Sequence, residues 1–384
     1  MRVLQLLTAL GHGGAEIWLL NMLKEFDRAE CALDFCLKLP QAGKLEHVAV
    51  EHGAKVFHVP LRPTHVGYLA GLTKLLRSGA YDVLHTHEFV YSGLGVAVAK
   101  ATGVPSVSTF HHWQSPPETR LTRMPVLREV REVYGRANVA FTKGNATILT
   151  ALSRKVMNHM IPDWRQRTNT RMLSLSAGIP PLATEEARRQ FRRDHGMSED
   201  DLVVLHVGRF IEQKNHAGVL DVFTRVRARV PNAKLVLLGQ GPLKDEILAR
   251  IEREGLGPSV RFLGLRDDVP AIMTVSDVFL FPSLDEGFGL AALEANAAGI
   301  PVVGTAIDGL DEAVVDGQTA RLFSVRDVDA MAEATIAFAL DPAQRAAFGL
   351  AGRERAQREY SHAASARKML AVYRDAIRIA RGGV

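Results

Sequence analysis

The chain has 384 residues, 47% of them apolar and 23% charged, with a formal net charge of +5. That length exceeds one ordinary core and suits two domains of roughly 150–200 residues each, while the apolar/charged balance excludes a disordered or fibrous chain. The basic excess is mild and spread along the sequence, so nucleic acid, anionic lipid and phosphorylated small molecules are all compatible partners and none is selected.

Cys31 and Cys36 are the two cysteines. They cannot build a disulfide framework, and a C-x4-C pair without further ligands is a poor zinc site, so buried thiols in a reducing compartment are expected. The opening apolar run is too short for a signal-peptide core, and no stretch approaches ~18 apolar residues. A cytoplasmic protein is expected, meeting any membrane only at its inner face.

In chain order, a β-like run at 3–7 leads into Gly11-His-Gly-Gly14 and then a helical pattern at 15–26 with Ile17, Leu20, Leu23 and Phe26. Strand, Gly-rich loop and helix open a nucleotide-binding α/β domain. Further strands are predicted at 32–37, 55–59, 83–86, 106–109 and 139–141, with helices between, for example 68–76 and 93–101. Breakers at Gly178-Ile-Pro-Pro181 and a charged stretch to Asp201 mark the interdomain crossing and a first helix of a second domain. The alternation then resumes, with strands at 202–207, 234–238, 260–262, 278–281 and 301–304, helices at 244–254, 269–276 and 290–298, and a helical tail at 328–381. Strands alternating with helices imply parallel sheets covered on both faces, with ligands at the carboxyl ends of the strands and in a cleft between the domains. No 20–50-residue repeat indicates a solenoid.

Five segments can carry chemistry. His12-Gly13-Gly14-Ala15-Glu16 offers backbone N–H groups and a helix start to an anion, or is a plain tight turn; it is neither a Walker A loop nor a full G-x-G-x-x-G. Gly208-Arg209-Phe-Ile-Glu-Gln-Lys214 sets two cations at a strand end, suited to a diphosphate or simply solvated. Pro282-Ser-Leu-Asp-Glu286-Gly287-Phe288-Gly289-Leu290-Ala-Ala-Leu-Glu294 joins a Gly-rich loop carboxylate to a second one on a small-residue helix, where it needs a partner such as vicinal hydroxyls. His111 and His112 follow a strand and read as hydrogen-bonding groups rather than metal ligands; His85, His87 and Glu88 give only a weak metal signal beside a polar rim. Basic residues from Arg120 to Arg171, interleaved with aliphatics, form either a face for anionic lipid or a solvated helix. No groove-reading module or stacking platform for nucleic acid is recognisable.

In their order and spacing these segments resemble glycosyltransferase family 4, retaining enzymes of GT-B fold, over nearly the whole chain; the Glu-x7-Glu segment with its internal Gly-Phe-Gly is the most specific. The resemblance implies two Rossmann-like domains, an acceptor-side one at 1–178 and a donor-binding one at 179–364, with the helix at 365–384 packed back on the first. It gives Gly13 and Gly14 a loop near the donor diphosphate, and His111, or His112 one residue on, the donor sugar. Arg209 and Lys214, beside Gly208, would hold the diphosphate. Glu286 would lie near the sugar, Gly287, Phe288, Gly289 and Leu290 would donate backbone N–H groups, and Glu294 would accept from the ribose hydroxyls. Leu263 would lie by the base.

The chain departs from the family pattern in two places: Ser176-Ala-Gly-Ile-Pro180 stands at the hinge, and Ile307-Asp-Gly-Leu-Asp-Glu312 replaces a Gly-x-Pro-Glu segment. The implied reaction is sugar transfer with retention from a nucleotide sugar, a UDP-sugar for preference, without metal or other cofactor. The implied acceptor is a hydroxyl of a glycan or a polyprenyl-linked glycan in cell-surface polysaccharide synthesis. A nucleotide-sugar epimerase of the same fold and a non-catalytic nucleotide-sugar-binding subunit are the alternatives.

Overall fold

The computed structural model describes residues 1–11, 14–61, 65–88, 91–111 and 125–383, without the side chains of 125–128. Gly13, His112, and with them Arg120 and Arg123, lie outside the described residues. The chain forms two compact units, Met1–Ser176 with His362–Val384, and Ala177–Ser361.

In the first unit, strands β1 (Arg2–Leu7), β2 (Ala32–Leu37), β3 (Val56–His58), β4 (Val83–Thr86), β5 (Ser106–Phe110), β6 (Ile148–Ala151) and β7 (Thr170–Met172) form one parallel sheet in the order β3-β2-β1-β4-β5-β6-β7. Alternate side chains feed two cores. Val3, Leu33 and Phe35 pack with Trp18, Leu19 and Leu23 of the helix Gly14–Glu25 and with Met369, Leu370 and Tyr373 of the C-terminal helix His362–Ala380. Leu4, Leu6 and Cys36 face Tyr68, Leu72 and Leu76 of the helix His65–Gly79 and Val98 of the helix Ser92–Thr102. Burial on both faces is why these strands read as continuous apolar runs.

In the second unit, β8 (Leu202–Val207), β9 (Ala233–Leu238), β10 (Val260–Gly264), β11 (Val278–Phe281), β12 (Val302–Thr305) and β13 (Ala320–Phe323) run parallel in the order β10-β9-β8-β11-β12-β13. Both sheets therefore reverse their winding beside the first strand of the unit, between β1 and β4 and between β8 and β11. At such a switch point the neighbouring loops diverge and leave a crevice at the carboxyl ends of the strands.

Two sequence expectations are corrected, and two strands were not foreseen. The run at 139–141 is no strand; it lies inside the helix Pro125–Asn145, and the strand is the next apolar run, β6. A three-residue apolar run cannot distinguish the two, and the amphipathic pattern before it extends through it. Ile17 is 43% exposed, and Trp18 takes the inward position expected of it. Strands β7 and β13 had no sequence signal beyond a short mixed run.

Candidate functional site

The β8 loop of the second unit starts at Gly208, whose N–H donates to the Leu238 carbonyl at 3.0 Å. It is locked against the loop after β9: Phe210 N–H donates to the Gln240 carbonyl at 3.0 Å, and Leu243 N–H to the Phe210 carbonyl at 3.0 Å. The two backbones touch so closely that a Cβ on Gly239 would sit 2.0 Å from the Gly208 carbonyl oxygen, and one on Gly241 2.4 Å from that of Phe210. Gly239 also holds φ +127°, a region open to glycine. Gly239-Gln-Gly241 was passed over in the sequence, although a Gly-x-Gly directly after a strand was the available signal.

Beyond Phe210 the chain makes a short 3-10 turn, Glu212–Lys214, and stops it with Asn215 in the left-handed conformation, φ +50°. The Asn215 side chain accepts from Gly218 N–H at 3.0 Å, capping the helix His216–Arg229, and donates to the Pro282 carbonyl at 3.0 Å. Gln213 donates to the Asp285 carbonyl at 2.7 Å and accepts from Leu284 N–H at 2.8 Å through its own carbonyl. The β8 and β11 loops are thus stitched together across the switch point.

That stitching brings Lys214 Nζ to 2.6 Å from Glu286 Oε1, with the lysine amine also over the Phe281 ring. Both side chains are largely buried, so this ion pair is screened little by solvent. Arg209, five residues before Lys214, is exposed and has no ion-pair partner among the described residues. Beneath the loop, His206 Nδ1–H donates to the Leu280 carbonyl at 2.8 Å, and His216 stacks on Phe210 with ring centroids 3.8 Å apart. Burial pushes His206 down to about 3 and His216 to about 4, so both are neutral supports for a cationic loop.

Glu286 is followed by Gly287, the buried Phe288 ring packed near Tyr360, and Gly289 at φ +74°. Phe288 offers a ligand its backbone only, since its side chain is core. Gly289 begins the helix Leu290–Ala297, and no side chain caps it. Ala292 N–H donates to the Gly289 carbonyl at 3.0 Å, which leaves the N–H groups of Leu290 and Ala291 for an external acceptor, and the helix dipole favours an anion there. The departure segment packs directly on this loop: a Cβ on Gly309, φ +95°, would lie 2.7 Å from the Glu286 carbonyl oxygen.

Glu294 lies half-buried one turn into the same helix, and its carboxyl has no hydrogen-bond or ion-pair partner among the described residues. Burial alone pushes it up to about 7. No arginine among the described residues pairs with it. Leu263 is the extra residue of a bulge in β10, between the Phe262–Leu237 and Gly264–Leu238 pairs. Bulges re-aim side chains at strand ends.

In the first unit, Gly14 starts its helix with no atom of the described residues within 4 Å of a Cβ placed on it. His111 follows β5, and its Nε2 lies 2.9 Å from His87 Nδ1. His87 Nε2 lies 2.8 Å from Gln5 Oε1, and Trp18 meets both imidazoles edge-on. The His85-Thr-His87-Glu88 run does not converge on one point. His85 is spent on Tyr373 and Thr109 at 2.8 and 2.7 Å, while Glu88 forms a buried ion pair with Lys38 at 2.7 Å. Alternating strand residues point to opposite faces, which divides the run.

Of the basic stretch, the described members mostly have local partners: Arg167 bonds Asp163 at 2.9 Å, and Arg171 bonds Asp375 at 3.1 Å through Nε. Val130 and Val133 of the helix Pro125–Asn145 are 61% and 60% exposed. No helix among the described residues is long and apolar enough to cross a membrane.

Comparison with known proteins gives this geometry a setting. The Bacillus subtilis protein EpsF, named as a glycosyltransferase, is 27% identical over 307 residues, 79% of this chain and 78% of its own length. The D-inositol 3-phosphate glycosyltransferase of Corynebacterium diphtheriae is 25% identical over 389 residues, covering 95% of this chain and 90% of its own. Among solved structures, Anabaena HepE in complex with UDP superposes with a TM-score of 0.81 at 20% identity, over 96% of this chain and 98% of that one. The family model described as Glycosyltransferase Family 4 matches residues 12–172, and that described as Glycosyl transferases group 1 matches residues 187–355. Carrying both domains on two Rossmann-like parallel sheets, the chain belongs to the GT-B glycosyltransferases.

Proposed function

We propose that the protein is a retaining, metal-independent glycosyltransferase that moves a sugar from a nucleotide-diphosphate sugar, preferably a UDP-sugar, to a hydroxyl of a glycan or polyprenyl-linked glycan. The observation that carries this reading is the second unit's constellation: the Lys214–Glu286 pair at 2.6 Å, the exposed Arg209, the uncapped helix start at Gly289 and the unpaired Glu294. Two cations and a row of N–H groups suit a diphosphate, and a lone carboxylate suits a pair of ribose hydroxyls. Charge that develops on the departing diphosphate would be met by Arg209 and Lys214, donors already in place before the bond breaks, which is where such a site gains most of its rate.

Gly13 and Gly14 are assigned to the donor diphosphate and His111 to the transferred sugar on the family resemblance. The preference for UDP is supported by the HepE complexes with UDP and with UDP-glucose, and a role in surface polysaccharide synthesis by the likeness to EpsF. The spread of relatives, from EpsF to the inositol phosphate enzymes, fits a shared donor site serving different acceptors.

The test is titration of UDP, GDP and ADP, and of the matching glucose conjugates, by calorimetry in the presence of EDTA. UDP is expected to bind most tightly, and Lys214→Ala to weaken it at least tenfold, about 1.4 kcal/mol. Unchanged affinity in Lys214→Ala, or binding that requires a divalent metal, would overturn the assignment. Analysis of the product anomer then decides retention.

A further inference from the structure

The second unit holds a cavity of about 530 Å³ that the proposed function does not use. It lies at the amino ends of the strands, where Asp277 precedes β11 and Ile300 and Pro301 precede β12. Lys214 and Glu286 follow the carboxyl ends of β8 and β11, at the opposite edge of the same sheet. Two helices wall the cavity, and both bring arginines to it. Glu185–Asp194 carries Arg188 and Arg192, and Pro342–Arg355 carries Arg345 and Arg353.

These arginines are not equally committed. Arg192 is buried; its Nη2 donates to Asp277 Oδ2 at 2.8 Å and its Nε to the Asp201 carbonyl at 3.1 Å. Asp277 Oδ2 also accepts from Val203 N–H at 2.8 Å, so this pair ties its helix to β8 and β11 and is structural. Asp277 Oδ1 faces Arg188 Nη1 at 3.9 Å and Arg345 Nη2 at 3.8 Å, beyond hydrogen-bond length. Three guanidinium groups thus share one carboxylate. Arg188 makes one other bond, a long one of 3.5 Å to the Ser276 carbonyl. Arg345 donates to the Phe338 carbonyl at 2.8 Å, and Arg353 to the Ala297 carbonyl at 2.7 Å with no acidic partner among the described residues. Each guanidinium carries five N–H donors in a fork suited to two-point contact with an oxyanion. Most of the donors of Arg188, Arg345 and Arg353 are therefore unspent.

The other lining residues limit what can enter. Glu185, Glu199 and Asp200 are exposed, and Glu199 is already shared by Arg189 and Arg193 at 3.6 Å each. Exposed acids repel an extended anionic surface such as a bilayer or a nucleic acid, while a small anion that passes them meets the arginines. Leu182 and Leu350 are 59% and 57% exposed, and both line the cavity with the buried Ile300, which suits the carbon frame of a ligand. The volume is within the range of about 300–1,000 Å³ typical of small-molecule sites. We propose that this cavity binds the phosphoryl group of a small molecule through the unspent N–H groups of Arg188, Arg345 and Arg353. The inference does not depend on the sugar-transfer reading, since no residue of the donor site takes part.

Calorimetric titration of the full-length protein with inorganic phosphate and with glucose 6-phosphate tests this, in the wild type and in Lys214→Ala. Both probes are expected to bind, with the same affinity in the two proteins and more weakly as NaCl is raised. Arg345→Gln should weaken binding at least tenfold, about 1.4 kcal/mol. Ala346→Glu keeps every arginine and adds a negative charge at an exposed lining position, so it should weaken binding to a similar degree and reads the site even if Arg345→Gln fails to fold. Tighter binding of glucose 6-phosphate than of phosphate shows a ligand whose carbon frame meets Leu182 and Leu350; equal binding shows free phosphate, and either supports the site. No binding of either probe overturns it, as does an affinity that Ala346→Glu or a folded Arg345→Gln leaves unchanged. Loss of binding in Lys214→Ala would put the phosphate in the donor site and overturn it too. UDP affinity should be unchanged in Arg345→Gln and Ala346→Glu, so a failure of the donor assignment and a failure of this one are read separately.

Discussion

At the scale of single residues, Glu294 makes the sharpest claim on solution behaviour. Its carboxyl is pushed up to about 7 from an ordinary value of 4.5 by burial without a compensating charge. The unfolded chain releases this proton near pH 4.5, while the folded chain holds it until about 7. Folding therefore loses stability as pH rises through that window, and the full penalty is present above it. Glu294→Gln, which never ionises, should gain stability relative to wild type between pH 4 and pH 8. The expected gain is roughly 1–3 kcal/mol. Chemical denaturation at the two pH values measures it. The same proton should govern nucleotide binding: if the ionised carboxylate accepts from the ribose, UDP affinity rises as pH passes about 7. Glu294→Gln should bind UDP more weakly at pH 8 with a flatter pH dependence. A parallel pH dependence in the two proteins would remove Glu294 from the ribose.

Among the elements, the loops at the switch points are set by backbone contact rather than by side chains. Gly309 is the clearest case: at φ +95° with the Glu286 carbonyl oxygen 2.7 Å from a would-be Cβ, it admits no side chain without moving the carboxylate loop. Gly309→Ala should therefore displace Glu286 from Lys214. Turnover should fall at least tenfold, and stability by about 1–2 kcal/mol from strain in the left-handed region. Leu310→Ala, a control that leaves the backbone free, should cost about 2–5 kcal/mol of stability but keep Glu286 in place, so the two variants separate folding from turnover. Steady-state kinetics and thermal melts on the same samples check this.

The sequence made the carboxylate and cation segments legible because each follows a strand and carries its own glycines. It did not show the Gly239–Gly241 clamp, the neutral His206 and His216 beneath the loop, or the reason glycine persists at 309. Those depend on contacts between segments distant in sequence. The misread strand at 139–141 has a simpler cause: three consecutive apolar residues within a helix are too few to tell the two periods apart.

For the molecule as a whole, the two sheets could be read from alternation alone, since each strand is buried on both faces. What alternation cannot report is which unit a terminal helix completes. The helix His362–Ala380 belongs with the first unit, where Tyr373 is fully buried, bonds Gln5 and His85, and shares a core with Val3 and Phe35. Trp18 donates to Ser365 at 3.2 Å, and Arg374 pairs with Glu30 at 2.6 Å on the outer side. The first unit is thus closed by a helix that follows the second unit in the chain, while the core of the second is made of consecutive chain. Tyr373→Ala should open a large cavity and leave Gln5 and His85 short of a partner, a loss of about 3–5 kcal/mol. Stability need not fall evenly across a structure, because regions open in cooperative units. Hydrogen exchange followed by mass spectrometry should show the amides of β1 and β4 losing protection in Tyr373→Ala, with those of β8 and β11 close to wild type. Equal loss in both sheets would mean that the two cores unfold as one, and that the C-terminal helix stabilises the whole chain rather than the unit it completes.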